Sequence, residues 1–172
     1  MIDYKGGGLA NTLEGLPHMV GKITNIGTNI QRSMVSLHSE LLRRQKLFAK
    51  YGIVKYGDYN RGYHQGKYPE RLARLIIVAD EFRELRSQEP EFMKSLISAA
   101  TIGRSLGVDL VLATQNPSGI VDDQMRANMN FSICLKVQNA SASRDMLGTS
   151  DAAHLSQAGR AYVKVGDNDV YE

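Results

Sequence analysis

The chain has 172 residues, 42% hydrophobic and 23% charged, a balance that suits one globular domain with a buried core and excludes disordered or fibrous classes. A single cysteine excludes a disulfide framework and a cysteine-rich zinc site, and the four histidines are too scattered to read as metal ligands. The net charge of +3 does not by itself imply a nucleic-acid partner.

Residues 1–4 read as the end of a strand, broken by Gly6-Gly7-Gly8, which suits a tight turn. A short helix over 11–16 and a short strand over 19–23 follow. Asn29 is placed to cap a long amphipathic helix reaching Tyr51. Ile30, Met34, Leu37, Leu41, Phe48 and Tyr51 recur there at helical intervals, and Gly52 supplies the stop. Residues 53–74 are polar and punctuated by Gly57, Gly62, Gly66 and Pro69, so they read as a long surface loop.

Residues 75–79 form a continuous apolar run ending in Asp80-Glu81, the pattern of a strand buried on both faces of a parallel sheet. Pro90 opens a helix that runs to Leu106, with Gly107 past its end. Residues 109–113 form the next strand, closed by Thr114-Gln115-Asn116-Pro117. Asp122 or Asp123 caps a small helix, and the β-rich stretch 131–137 takes Cys134 into its packing. Helical pieces over 141–147 and 151–155 lead to residues 161–165, which pair with Val170-Tyr171 across a turn at 166–168. Strands alternate with helices, so the expected class is α/β, one domain with a mostly parallel sheet flanked by helices. No apolar run is long enough to span a bilayer, there is no signal-peptide stretch, and a reducing, cytosolic compartment is the expectation.

The strongest chemical signal is the strand ending in Asp80-Glu81. Ligands of parallel sheets bind beyond the carboxyl ends of the strands. An aspartate there can hold Mg²⁺ through water, and a neighbouring glutamate can orient or deprotonate a water aimed at a γ-phosphate. A strand that merely ends in a solvated acidic turn gives the same pattern. The next strand delivers Thr114 and Gln115 to the same edge, where a hydroxyl and an amide could contact that phosphate or its attacking water. In isolation they read equally well as a polar turn before Pro117.

Six stretches, taken in order, closely resemble FtsK/SpoIIIE-type ATPase domains. They are Ile2-Asp3-Tyr4-Lys5, Leu16-Pro17-His18, ELLRRQKLF over 40–48, IIVADEF over 76–82, IGRSLGVDLVLATQNPS over 102–118 and GRAYVKVG over 159–166. Residues 90–93 and 120–124 resemble most the membrane-bound ATPases of type VII secretion, the EssC/EccC/YukB group. The resemblance implies a RecA-like P-loop NTPase fold over 1–172 and a motor that works on ATP and Mg²⁺ between neighbouring domains of a homo-oligomeric ring. It makes Asp80 the magnesium-associated aspartate, Glu81 the catalytic base or water-orienter, Gln115 the sensor, Thr114 a nucleotide contact and Arg104 an arginine acting across an interface. An arginine at a helix C-terminus, favoured by the helix dipole, is the other reading of Arg104. Small helical secreted proteins are the implied cargo, at the cytoplasmic face of the bacterial membrane within a larger anchored protein.

A P-loop needs Gly-x-x-x-x-Gly-Lys-Ser/Thr. Gly15 to Gly21-Lys22 has five intervening residues and Gly62 to Gly66-Lys67 has three, and the lysines are followed by Ile23 and Tyr68, not by Ser or Thr. The resemblance therefore implies a domain truncated before Ile2, lacking the first strand and the P-loop helix. The expected consequence is an isolated chain that neither binds ATP tightly nor turns it over, with a missing strand beside the one ending at Asp80. Two other functions remain open. One is a DNA translocase, for which residues 31–75 offer ten Lys/Arg against three Asp/Glu. The other is a non-catalytic ring-assembly module.

Overall fold

A computed structural model describes residues 1–25, 30–166 and 169–171. It divides the chain into two compact units, residues 1–113 and 114–172. The expected cap at Asn29 and the tip of the turn at 167–168 lie outside the described residues.

The first unit carries a four-stranded parallel sheet. Its strands are β1 (Ile2–Asp3), β2 (Ile23–Thr24), β3 (Leu75–Asp80) and β4 (Val108–Leu112), in spatial order β2-β1-β3-β4. Its helices are α1 (Gly8–Leu13), α2 (Ile30–Tyr51), α3 (Tyr56–His64), α4 (Phe82–Gln88) and α5 (Pro90–Leu106). Leu75 of β3 lies opposite Val108 of β4, and Ala79 opposite Leu112. Leu41 and Phe48 of α2, Ala99 and Leu106 of α5, and Val108 of β4 share one core, against which Leu75 and Ile77 pack. The alternate residues of the sheet face the other way, and there Ile76 and Val111 are exposed. The expectation that β3 is buried on both faces is corrected here. An unbroken apolar run does not record which of its faces a helix covers.

Both edges of β3 are occupied, by β1 and by β4. The expectation of a further strand beside the one ending at Asp80 is therefore overturned.

Residues 53–74 do not form the expected loop. Tyr59 of α3 is fully buried, stacked on Phe48 at 5.5 Å and on Tyr68 at 4.9 Å between ring centroids. Its hydroxyl donates to the Glu70 carbonyl at 3.0 Å, and that of Tyr56 donates to the Leu72 carbonyl at 2.9 Å. Aromatic stacking and these bonds to backbone outweigh the low helix propensity of Gly57 and Gly62. Gly103 lets α5 approach β4 closely, because a Cβ there would meet the Val108 Cβ at 2.8 Å. Gly107 ends α5 at φ 76°, as expected of a glycine stop.

One buried cation ties these elements together. Arg44 of α2 donates to the carbonyls of Ala73 at 2.8 Å, Leu106 at 3.0 Å and Gly107 at 3.1 Å, and to the Glu40 carboxylate at 2.7 Å. The planar guanidinium serves three backbone acceptors at once, which a lysine cannot match.

The second unit holds β5 (Phe131–Leu135), β6 (Ala161–Val165) and β7 (Asp169–Tyr171) as an antiparallel sheet. Its helices are α6 (Asp123–Asn128) and α7 (Ala140–Leu147), followed by a 3₁₀ turn at Asp151–His154. Asp122 caps α6 by accepting from the Met125 N–H at 2.8 Å, and Asn139 caps α7 by accepting from the Ala142 N–H at 2.9 Å. Cys134 packs with Leu147, Ala152 and Leu155, and burial raises its thiol pKa, which keeps it protonated and unreactive. No helix among the described residues is long and apolar enough to cross a membrane.

Replacing Arg44 with methionine takes this donor from the Ala73 carbonyl and the buried Leu106 carbonyl, while Glu40 keeps its two bonds from Arg43. The expected loss is about 3 kcal/mol of stability in denaturant titration. Glu40 gives a pH signature. Hydrogen bonds from Arg43 and then Arg44 hold its carboxyl pKa below the usual value, against the upward pull of partial burial. Its contribution to stability is therefore complete above the unfolded-state pKa of about 4.3 and is lost as pH falls through the lower folded-state value. The melting temperature of Glu40→Gln should fall less steeply over that acid range than that of the parent.

Candidate functional site

The carboxyl rim of the parallel sheet collects the acids. β3 ends at Asp80, and Asp3 of β1 lies opposite it in register. Asp3 is buried and accepts from the backbone N–H groups of Lys5 at 3.1 Å, Leu9 at 2.9 Å and Ala10 at 3.1 Å. Its carboxylate thus closes the Gly6-Gly7-Gly8 turn, in which Gly6 and Gly7 both take positive φ. Nothing in the residue pattern singled out Asp3 as more than a strand end. The usable signal was an aspartate at the end of a strand followed by a glycine run, the composition of a carboxylate-held turn.

Asp80 is partly buried, and its Oδ1 accepts from the N–H of Glu81 at 3.1 Å. Glu81 is buried at 8% exposure and starts α4. Its backbone lies in the left-handed region at φ 49°, ψ 52°, where it is the only non-glycine with positive φ among the described residues. Such a conformation costs of order 1 kcal/mol and persists where surrounding structure enforces it. The enforcement is visible: the Phe82 N–H donates to the Ala113 carbonyl at 3.0 Å, and the Ala113 N–H donates to the Ala79 carbonyl at 2.9 Å. The turn after β3 is thereby stitched to Ala113, just past β4, and the backbone of Glu81 is held between them.

Thr114 and Gln115 follow Ala113 directly and open the second unit, so the backbone that carries them leaves β4 at this rim. Thr114 accepts at Oγ1 from the Asn116 N–H at 3.3 Å, and Gln115 is exposed. Arg104 is placed differently. It sits exposed in the last turn of α5, just ahead of the start of β4. It therefore lies at the amino edge of the sheet, a strand length of roughly 16 Å from the rim. The structure does not bring Arg104 to Asp80 and Glu81 within one chain.

Magnesium is commonly held by one or two carboxylates together with phosphate oxygens and water. Asp80 offers such a carboxylate, and no group of three or more His, Cys, Asp or Glu that could hold an ion alone occurs among the described residues. This donor fits an ion that arrives with a nucleotide.

A parallel sheet with an acid pair at its carboxyl rim and helices on its flank places the first unit in the class of α/β proteins that bind ligands beyond their strand ends. The model of the FtsK/SpoIIIE family matches residues 1–119, and the chain belongs to that family. It is 49% identical over 175 aligned residues to the ESX secretion system protein YukB of Bacillus subtilis, covering 100% of this chain and 12% of that protein. The type VII secretion system protein EssC of Staphylococcus aureus (strain Mu50) is 47% identical over 173 residues with the same coverage of each. The chain thus spans about an eighth of the length of these relatives. Among solved structures, the cytoplasmic domain of the type VII secretion ATPase EccC of Thermomonospora curvata superposes with a TM-score of 0.85 at 32% identity. That match covers 99% of this chain and 20% of the other.

The strain at Glu81 is testable. Glycine adopts φ 49° freely, so Glu81→Gly should be at least as stable as the parent in thermal melts, and by up to about 1 kcal/mol more stable. A substantial destabilisation would show that the carboxylate, not the turn, carries the local structure.

Proposed function

We propose that this chain is part of an ATP-hydrolysing motor domain of a type VII secretion ATPase, coupling hydrolysis to protein export. The observation that carries the reading is the Asp80-Glu81 pair at the carboxyl rim, with Glu81 held in a left-handed turn. Family membership and similarity to type VII secretion proteins along the whole chain support it.

In this reading Asp80 binds the water shell of a nucleotide-associated Mg²⁺, and bound Mg-ATP supplies the phosphoanhydride bond that is broken. Glu81 accepts a hydrogen bond from the attacking water and takes its proton, a role suited to a carboxylate whose backbone cannot swing away. Gln115 and Thr114 are the polar groups proposed to sense the γ-phosphate. Arg104, at the opposite edge of the sheet, is proposed to act on nucleotide held by a neighbouring motor domain, where its fork can contact several phosphate oxygens. No Gly-x-x-x-x-Gly-Lys-Ser/Thr occurs in the 172 residues, so the phosphate cradle must come from outside them. The proposed setting is the cytoplasmic face of the membrane, within a larger protein that joins neighbouring ATPase domains and acts on small helical secreted proteins.

Two measurements test this. Calorimetry of the 172-residue chain with Mg-ATP should give no low-micromolar binding. In the whole protein, Glu81→Gln should leave nucleotide affinity nearly unchanged while lowering turnover about 100-fold or more. Equal turnover by that variant would remove Glu81 from the mechanism. Stimulation of the parent by duplex DNA but not by a secretion-substrate peptide would move the assignment to a DNA translocase.

A further inference from the structure

The second unit contains a cavity of about 250 Å³ that the nucleotide chemistry does not use. It opens at the end of α7, where Gly148 stops the helix at φ 84°. Arg126, Arg144 and Lys164 line it, with Asp145 as its one acid among the described residues and Phe131 and Met146 on its apolar wall.

The charges are unevenly matched. Arg126 donates to the Val121 carbonyl at 3.1 Å and pairs at 3.5 Å with Asp145. Arg144 and Lys164 have no ion-pair partner among the described residues. Lys164 is fixed in place by β6, opposite Ser132 of β5, and its Nζ lies 3.9 Å from where a Cβ on Gly148 would stand. Lys164 is also only partly exposed, so its charge is worth more to a ligand than one on an open surface.

We propose that this cavity docks an acidic peptide segment, with one carboxylate reaching Arg144 and Lys164 while a neighbouring apolar side chain covers Phe131 and Met146. The carboxylate would take charge-assisted hydrogen bonds that no acid among the described residues makes with those two cations. The same site is unfavourable for nucleic acid. Asp145 and the negative end of the α7 dipole face the same opening, and a chain of phosphates would have to pass both. An isolated carboxylate beside an apolar group avoids that repulsion and uses the apolar wall. The proposal is independent of nucleotide chemistry at Asp80 and Glu81.

The test uses the full 172-residue chain and a short fluorescein-labelled peptide with an Asp-Leu-Glu-Phe centre in a Gly/Ser background. Anisotropy titration should show saturable binding that weakens as salt is raised. The peptide with Asn-Leu-Gln-Phe at its centre should bind about tenfold more weakly, as should the acidic peptide to the double variant Arg144→Gln, Lys164→Gln. Lys164→Arg should retain binding, and melting curves check that the variants fold. The peptide pair needs no mutation, so it decides the matter even if the double variant unfolds. Failure of the acidic peptide to bind, equal binding of the amide peptide, undiminished binding by a folded double variant, or stronger binding of a labelled duplex oligonucleotide would each overturn the proposal.

Discussion

The first unit depends on a single guanidinium. Arg44 grips Ala73 just before β3 and Leu106 and Gly107 just before β4, from a helix that crosses the core. These carbonyls lie at the amino edge of the sheet, where the two strands begin. Fixing both starts fixes the register, and the Leu75 N–H adds a bond to the Gly107 carbonyl at 3.0 Å. Strands of fixed start and fixed length end at a fixed rim. The position of Asp80 is thus set from the far end of the sheet.

At the rim the constraint changes from side chain to backbone. β3 stops, the chain turns through a left-handed glutamate, and α4 begins under a bond from the Phe82 N–H to the Ala113 carbonyl, just past β4. Unfavourable φ at a buried acid is an expense that a merely solvated turn would not carry. On the neighbouring strand Asp3 does a complementary task. It spends its carboxylate on three backbone N–H groups and so holds a glycine turn beside the acid pair. Asp3 thus supports the local chain, next to the strand that ends in Asp80.

Some of this was legible in the residues. The long helix followed from apolar positions at helical spacing, the helix from Pro90 to Gly107 from its two terminal signals, and the caps at Asp122 and the hairpin of β6 and β7 from local composition. The rim acids followed from an apolar run that ends in charge. Three things were not legible. Residues 53–74 looked like a loop because glycine and polar residues dominate them, whereas tyrosines at 59 and 68 bury themselves only when Phe48 is already in place. The one-sided burial of β3 depends on where α2 and α5 lie, which no run of residues records. Arg44 looked like one more charge in a basic stretch.

The sequence by itself determined the periodicities, the stop signals, the order of acid, arginine and amide along the chain, and the family those residues belong to. The periodicities and stop signals are properties of neighbours within a few residues, and the order and the family are read along the chain without any contact between its segments. The tertiary structure alone decided the strand order β2-β1-β3-β4, the register of Asp3 opposite Asp80, the strain at Glu81 and the placing of Arg104 at the other edge of the sheet. These are relations between segments tens of residues apart. Their energies come from contacts that exist only once the chain has collapsed, so local pattern cannot carry them.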